Sequence, residues 1–321
     1  MRHIWHNGEI KPESEAKVSV YDSAMLFGDT VFEMTRSFNK VHFKLNEHIE
    51  RLFHSMSYLN IGINPDWADI KFFQRICYQL SELNDKEFQQ DDEHRLMINV
   101  SRGALGIYKD VEGVVNGTNI MITDFPLRWT VNGFGKYYDY GINMVIVNQR
   151  ALSHSQIEPK IKHRSRLYLQ MANIQASRFK GDNWALMLDE DGYIAEGTGD
   201  NIFMAKNGVI YTPEGRNILR GISRQFIFDL CDKYGYKYCE KNIEPYDLYN
   251  ADEVFITGTP FCILPVTKID GKEINHGIIG DYTLQLLKIW GNEVGIDIRK
   301  QIKNWDLQNN NTEGVSPYIF K

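Results

Sequence analysis

The amino-acid sequence predicts an α+β fold built from two domains. Apolar runs joined by turn dipeptides predict antiparallel hairpins, and three amphipathic stretches predict helices. Strands and helices do not alternate in the regular way that βαβ units require, so the two kinds of element are expected in separate groups. A length of 321 residues fits two domains of ordinary size.

Turn dipeptides predict hairpins at several points, because Asn, Asp and Gly tolerate the positive φ angles that two-residue turns require. Asn207-Gly208, for example, lies between two apolar runs, 202–204 and 209–211. The dipeptides are Asn7-Gly8, Asn116-Gly117, Asp191-Gly192, Asn207-Gly208 and Asp270-Gly271.

Three stretches carry apolar side chains at the three- and four-residue spacing of amphipathic helices. Asn46 is expected to be the N-cap of the first helix, and Gly235 is expected to end the second. The apolar positions are Ile49, Leu52, Phe53, Met56 and Leu59 in the first, Ile222, Phe226, Leu230 and Tyr234 in the second, and Leu167, Met171 and Ile174 in the third.

The stretch 124–141 is the expected connection between the domains. It has no clear periodicity and contains Pro126 and the glycines Gly133, Gly135 and Gly141. We therefore predict a small N-terminal domain over 1–124, an interdomain loop over 125–140 and a larger domain over 141–321.

Composition and charge exclude several classes of function. Hydrophobic residues make up 43% of the chain and charged residues 24%, as in soluble globular proteins. Lys and Arg total 36 against 42 Asp and Glu, a net charge of -6, which argues against sequence-independent binding of nucleic acid. No apolar run approaches the roughly 18 residues of a membrane span.

The cysteines indicate a reducing compartment. Four are present, with no CxxC pair and no spacing typical of a zinc site, so no metal is expected. The first residues lack the apolar core of a signal peptide. Together these features predict a cytoplasmic protein.

The sequence lacks the motifs of several common chemistries, including G-x-S-x-G, G-x-G-x-x-G, the P-loop and H-E-x-x-H. Three other features have two interpretations each. The cationic run 160–164 is either a solvated patch or the setting of a reactive lysine. Glu196 is either an ordinary hairpin residue or a site carboxylate, and Ser223 either caps a helix or belongs to an anion-binding helix start, 221–223. A lysine, an acid and phosphate donors together suit pyridoxal 5'-phosphate (PLP).

Six segments then carry a family resemblance, in the family's order. They read YDSAMLFGDTVFEMTR, KLNEHIERLFHSM, PKIKHRSRL, YIAEGTGDNIF, LRGISR and FITGTPFCILPVTKIDG. The sequence resembles the class IV, fold-type IV PLP-dependent aminotransferases, which include branched-chain and D-amino acid aminotransferases, (R)-amine transaminases and aminodeoxychorismate lyase. The resemblance implies a small N-terminal α/β domain and a larger, barrel-like α+β domain that binds PLP.

The resemblance also implies which residues act on the cofactor. Lys162 is the expected catalytic lysine that carries PLP, with Lys160 as its close competitor, and Glu196 is the expected partner of the pyridine nitrogen. A helical wheel alone would place Arg51 in a surface ion pair with Glu47, whereas the motif assigns it to the cofactor phosphate. The phosphate-binding residues implied by the resemblance are Arg51, the backbone N–H groups of Ile222 and Ser223, and the Thr259 hydroxyl.

The substrate site follows from the same resemblance. Three arginines are candidates for binding a substrate carboxylate, each with a surface ion pair as the alternative. The implied substrate-binding residues are Phe27, Phe32, Arg36, Arg95, Arg128 and Pro260.

The predicted activity is that of a transaminase that uses a branched-chain L-amino acid as amino donor and a 2-oxo acid such as 2-oxoglutarate as acceptor. A D-amino acid or (R)-amine transaminase is the alternative, favoured by Phe27-Gly28-Asp29. Phe32-Glu33-x-x-Arg36 favours the branched-chain enzymes, and Thr257-Gly258-Thr259 argues against a lyase. A non-catalytic binding protein has the least support. The resemblance implies a homodimer or a larger even assembly.

Overall fold

The computed structural model describes residues 1–114 and 116–308, and these divide into two compact units. The first contains 1–129 except the undescribed residue 115, together with 161–166, and the second contains 130–160 and 167–308. The division falls inside the stretch that the sequence predicts as a loop, although that stretch also holds the end of a strand and two short helices. The predicted domain bounds themselves stay a prediction.

The first unit is an antiparallel sheet covered by helices. Its strands lie in the order β2-β1-β7-β6-β3, and β4 and β5 form a separate hairpin. The elements are β1 (His3–His6), β2 (Glu9–Pro12), α1 (Ser23–Phe27), β3 (Thr30–Met34), β4 (Ser37–Phe38), β5 (Val41–His42), α2 (Leu45–Tyr58), α3 (Ile70–Asn84), β6 (His94–Ser101) and β7 (Asn119–Pro126).

Alternation along β6 separates the core face of this sheet from its other face. Leu96 and Ile98 are fully buried in the core formed with α2 and α3. Successive side chains of a strand point to opposite faces, so Arg95, Met97 and Asn99 lie on the face away from that core.

Helix α2 is where predicted, but its start differs. It begins at Leu45, one residue before the expected N-cap Asn46. Lys44 occupies the N-cap position in a left-handed conformation, with φ of 52°, and makes no capping hydrogen bond. Asn46 instead accepts a hydrogen bond from Gln74 on α3, which a local sequence pattern cannot reveal.

The second unit contains the remaining elements: α4 (Arg128–Val131, which begins in the first unit), α5 (Tyr137–Tyr140), β8 (Ile142–Ile146), α6 (Leu167–Ala176), β9 (Asn183–Leu188), β10 (Ile194–Gly197), β11 (Asn201–Lys206), β12 (Val209–Thr212), α7 (Ile222–Tyr234), β13 (Tyr238–Glu240), α8 (Pro245–Tyr249), β14 (Glu253–Gly258), β15 (Cys262–Ile269), β16 (Lys272–Glu273), α9 (Asp281–Val294) and α10 (Ile298–Gln308).

Six strands of the second unit close into a barrel. The order β10-β9-β8-β15-β14-β11 returns to β10 through a direct β10–β11 pairing. The closing pair places Glu196 opposite Asn201, and the next pair places Asn201 opposite Thr257. The α+β class and the barrel-like second domain are confirmed.

Most of the predicted hairpins are confirmed. The turns of β1–β2, β11–β12 and β15–β16 have positive φ at both residues of the dipeptide. Asp191-Gly192 lies within a longer loop between the paired strands β9 and β10. The prediction for Asn116-Gly117 is wrong as a two-residue hairpin, because the dipeptide lies in the long connection between β6 and β7. Gly117 of that pair has positive φ.

Two predicted helices of the second unit are present. Helix α7 ends at Gly235, which takes the left-handed conformation. Helix α6 also forms, but Leu167 is 74% exposed and the buried side chains include Leu169 and Ala172. The apolar spacing therefore located this helix without marking its buried face. Among the described residues, none of the helices has the length and apolar character needed to cross a membrane.

Candidate active site

The segment that holds Lys162 is fixed alongside strand β3 of the first unit. The Phe32 N–H donates to the Lys162 carbonyl at 2.9 Å, and the Arg164 N–H donates to the Thr30 carbonyl at 2.8 Å. Val31 and His163 form a β-bridge between these two contacts. The segment is therefore extended, and the side chains of Lys162 and Arg164 lie on the same face.

Cationic groups of this segment surround the ring of Phe32, which is 1% exposed. The Lys162 Nζ lies 5.0 Å from the ring centroid, the Arg164 Cζ 3.6 Å and the Arg166 Cζ 5.4 Å. A negative ring face attracts such cations. The solvated-patch interpretation of the run 160–164 therefore does not describe Lys162 and Arg164.

The competing lysine has a different environment in the second unit. The Lys160 Nζ pairs with the Glu158 carboxylate at 2.6 Å and donates to the Arg216 carbonyl at 3.1 Å. An ammonium held by a carboxylate is stabilised in its charged, non-nucleophilic form. This contact favours Lys162 over Lys160 as the reactive lysine.

Arg51 does not form the surface ion pair with Glu47 that a helical wheel suggests. Its Nε and Nη2 donate to the two carboxylate oxygens of Glu33 at 2.6 and 2.8 Å. Glu47 pairs with Lys44 instead. A bidentate contact fixes the guanidinium plane.

A buried histidine completes the support of Arg51. The His48 Nδ1 donates to Glu33 at 2.7 Å. Burial alone would raise the pKa of Glu33, but the charges of Arg51 and His48 outweigh it and lower that pKa to about 2. Burial lowers the pKa of His48 despite the opposing attraction of Glu33. Glu33 is therefore an anion that balances the charge of Arg51.

The second unit orients Glu196 at the end of β10. The Asn201 Nδ2 donates to one carboxylate oxygen at 3.0 Å, and the Leu219 N–H lies 3.2 and 3.1 Å from the two oxygens. The same Asn201 amide donates to the Leu219 carbonyl at 3.0 Å. Asn201 thus joins Glu196 to the chain that leads into α7.

The start of α7 is open to an anion. Gly221 is its N-cap, and no side chain caps the helix, so the interpretation of Ser223 as a simple cap is wrong. A Cβ at Gly221 would lie 2.2 Å from the Asn201 Oδ1, which explains glycine here. The N–H groups of Ile222 and Ser223 belong to the first turn, where no intrahelical acceptor exists.

The turn after β14 adds further hydroxyl groups. The buried Thr257 Oγ1 has no hydrogen-bond partner within 1–114 and 116–308. Thr257 lies opposite Asn201 in the barrel, and Thr259 and Pro260 follow half-buried in the turn. Within the second unit, an orphaned buried hydroxyl and an uncapped helix start are donors of the kind that suits a phosphate such as that of PLP. Within the first unit, a lysine and a supported arginine are groups of the kind that suits its aldehyde and its phosphate.

The remaining predicted substrate residues have varied environments. Phe27 is 66% exposed, and Arg36 is buried over the ring of Phe38. Arg95 is buried beside the Met34 sulfur. Their assignment to the substrate stays a prediction.

Arg128 is surrounded by acceptors. It pairs with Asp91 and Asp92, and its Nη1 donates to Gln89 at 2.6 Å. This is the ion-pair alternative, although the pair with Asp92 is buried and not on the surface. Its assignment to a substrate carboxylate also stays a prediction.

Sequence reasoning did not single out Asn201, Glu33, His48 or Arg164, which contact the candidate residues or, for His48, their partner. Asn201 and Glu33 both lie inside segments that carry the family resemblance, and His48 is three residues before Arg51 on the same helix face. Their positions in the sequence were the signals from which these residues could have been found. No group of three or more His, Cys, Asp or Glu side chains suited to a metal occurs in the described part of the chain.

Comparisons with known proteins agree on one family. The family model for amino-transferase class IV matches residues 30–269. A putative branched-chain-amino-acid aminotransferase of Methanocaldococcus jannaschii is 36% identical over 88% of this chain and 93% of its own length. A D-alanine aminotransferase of Bacillus licheniformis is 32% identical over 87% of this chain and 93% of its own.

Solved structures of branched-chain amino acid aminotransferases also match this chain. The branched-chain amino acid aminotransferase of Thermobaculum terrenum, in its PLP form, matches with a TM-score of 0.78 at 26% identity, over 95% of this chain and 97% of its own. The Escherichia coli branched-chain enzyme matches with a TM-score of 0.80 at 27% identity, over 91% and 94%.

Proposed function

Because this chain belongs to the class IV aminotransferases, we propose that it moves the amino group of a branched-chain L-amino acid to a 2-oxo acid such as 2-oxoglutarate. The predicted family, the fold-type IV architecture, the transaminase class and the PLP cofactor are confirmed. The branched-chain relatives and structures support the choice of donor. PLP supplies an aldehyde for the amino group and a ring that accepts the electrons of the substrate's Cα–H bond.

Lys162 is the proposed catalytic residue. It would hold the aldehyde carbon of the cofactor until the substrate amine takes its place. The released amine then removes the proton from the substrate Cα and, in the reverse direction, returns it. The observation that carries this role is the extended backbone beside β3, which fixes the position from which the lysine side chain extends.

Glu196 is proposed to hold a proton on the pyridine nitrogen. Its carboxylate is oriented by Asn201 and Leu219, so it does not need to reorganise when charge develops on the ring. Glu196 does not carry the proton of Cα. We therefore expect its loss to reduce the rate more than the retention of the cofactor.

The cofactor phosphate is assigned to one arginine, to two backbone N–H groups at the start of α7 and to one threonine hydroxyl. Arg51 presents a guanidinium oriented by Glu33, and the positive end of α7 favours an anion. We expect loss of Arg51 to weaken cofactor retention more than the rate of the loaded enzyme. The assigned residues are Arg51, Ile222, Ser223 and Thr259.

A D-amino acid or (R)-amine transaminase is the second candidate. The D-alanine aminotransferase relative and the Phe27-Gly28-Asp29 segment support it. Half-reactions with L-leucine, D-alanine and (R)-1-phenylethylamine distinguish these activities, because each true donor changes the absorption of the bound cofactor. We expect L-leucine to react fastest. If none of the three converts the cofactor, the proposed activity is wrong.

We also propose a homodimer or a larger even assembly in the cytoplasm. Apolar side chains of the first unit are strongly exposed, among them Phe27 and Ile107, the latter at 79%, and such patches favour association. All four cysteines are free thiols, as a reducing compartment allows. Light scattering on the purified enzyme tests the assembly, and a monomeric mass at micromolar concentration would contradict it.

A further inference from the structure

Arg164 is a half-buried cation without an acidic partner in the described part of the chain. Its Nε and Nη2 donate to the Asn99 Oδ1 at 3.0 and 2.9 Å, and Nη2 also lies 2.9 Å from the Met97 sulfur. Its guanidinium covers the Phe32 ring at 3.6 Å. No carboxylate within 1–114 and 116–308 pairs with it.

Three other arginines that are buried or largely buried are neutralised by carboxylates. Arg51 binds Glu33, Arg128 binds Asp92, and Arg224 binds Glu240. Charged groups are seldom buried unless they are paired, because removing a charge from water is costly. At Arg164 the acceptor is a neutral amide, which orients the guanidinium but leaves its positive charge uncompensated.

The donors of Arg164 are divided between two edges. Asn99 occupies the Nε–Nη2 edge, and Nη1 makes no hydrogen bond to any described residue. An arginine held along one edge can still offer its terminal nitrogens to a planar carboxylate. Burial and the nearby Arg166 lower the pKa of Arg164 to about 10, so it stays protonated at neutral pH.

Arg164 is also close to the reacting nitrogen. Its guanidinium and the Lys162 Nζ lie 3.6 and 5.0 Å from the same ring centroid, so at most the sum of these distances, 8.6 Å, separates them. The substrate nitrogen replaces that of Lys162. In an amino acid about 3.5 Å separates the nitrogen from a carboxylate oxygen by ordinary bond lengths, and a charge-assisted hydrogen bond adds about 2.8 Å. With about 1.3 Å for the bond from Nη to Cζ, these lengths total about 7.6 Å, which lies within the range of separations that the 8.6 Å upper limit allows.

We propose that Arg164 binds the α-carboxylate of the amino acid and of the 2-oxo acid, and so determines the preference for carboxylate substrates. This inference rests on the proposed function of Lys162. Asn99 is the positioning residue that holds the guanidinium in place, and Phe32 and Met97 provide apolar contacts on either side.

A matched pair of ligands tests the proposal on the PLP-loaded enzyme without relying on turnover. 4-Methylpentanoate carries the carboxylate, and 4-methylpentanamide has the same shape without the charge. Titration followed by the cofactor absorbance should show that the wild type binds the acid about 10- to 100-fold more tightly than the amide, the value of a hydrogen bond to a charged group. Arg164→Gln should bind the two ligands about equally.

Two further variants distinguish carboxylate binding by Arg164 from a general effect of positive charge in this segment. Arg166→Gln removes a neighbouring cation and should keep the preference for the acid, whereas Arg164→Lys keeps the charge, loses the planar fork and should give an intermediate preference. Only variants whose melting temperature and cofactor spectrum match those of the wild type are compared, which excludes misfolding as the cause.

An unchanged preference in Arg164→Gln, or an equal loss in Arg166→Gln, would overturn the proposal. Failure of the proposed function looks different, because the wild type would then show no change of cofactor absorbance with any amino donor.

Discussion

The contact between Asn201 and Glu196 leads to a quantitative prediction about rate. Asn201 donates to the Glu196 carboxylate, and so does the Leu219 N–H. A hydrogen bond to a charged group contributes about 1.5–3 kcal/mol. Because Leu219 still holds the carboxylate after the change, we expect Asn201→Ala to cost near the lower limit, about tenfold in kcat.

A double-mutant cycle isolates this contact from other effects. Asn201→Ala should lower kcat for L-leucine and 2-oxoglutarate about tenfold in the wild type, but less than threefold in Glu196→Gln, where the carboxylate is already absent. Loss of the Leu219 carbonyl contact should reduce the free energy of unfolding by about 1 kcal/mol in both backgrounds.

The control for this cycle is another amide on the barrel. Asn143 on β8 donates to the Asn183 side chain at 2.6 Å, and Asn143→Ala should change stability without changing kcat by more than twofold. Equal losses of kcat from Asn201→Ala in the two backgrounds would refute the reasoning, since the two side chains would then act independently.

Further predictions concern the first unit and the competing lysine. Lys160→Ala should leave kcat within about twofold of the wild type, because its ammonium is held by Glu158, and a large loss in the steady-state assay would contradict this. Glu33→Gln should lower the free energy of unfolding in urea by about 3–5 kcal/mol, because it leaves Arg51 largely buried without its anion. The pKa of Glu33 in the folded protein, about 2, lies below the ordinary 4.5. The stabilisation from its carboxylate is therefore complete above pH 4.5 and is lost toward pH 2. Burial, and then the charges of neighbouring histidines, lower the pKa of His42 from 6.5 to about 3. As the pH falls, the unfolded chain therefore takes up this proton before the folded protein does. The free energy of unfolding should fall by up to about 1.4 kcal/mol per pH unit between pH 6.5 and pH 3. Urea melts of His42→Phe should show a shallower fall over that window, and an unchanged slope would exclude this histidine as the cause.

Local patterns predicted elements well where the structure is determined locally. Gly235 ends α7 because glycine has no Cβ and so adopts the left-handed conformation without strain. Gly208 allows the turn at Asn207-Gly208 for the same reason. The Asn39-Lys40 turn between β4 and β5 also has positive φ at both residues, but it contains no glycine and gave no signal.

Contacts distant along the chain could not be predicted in this way. Arg51 is 18 residues from Glu33, and the packing of α2 against β3 that brings them together is absent from a helical wheel. The buried face of α6 depends on small alanines that pack against β9, so its large apolar side chains were misleading.

The candidate site was predicted through motifs, and its supporting residues were not. Lys162 and Glu196 were assigned by resemblance, whereas the role of Asn201 depends on the barrel closure that sets it opposite Glu196. Arg164 was visible only as part of a cationic run. Its importance follows from the lack of an acid among the described residues around it, which only a three-dimensional arrangement reveals.

The identity of the lysine that carries the cofactor is the central claim. Borohydride reduction of the PLP-loaded enzyme, followed by proteolysis and mass spectrometry, fixes the cofactor to that lysine and identifies it. We predict a phosphopyridoxyl group on Lys162 alone. The same group on Lys160, or an unlabelled Lys162 in an enzyme that is active with L-leucine, would contradict the account.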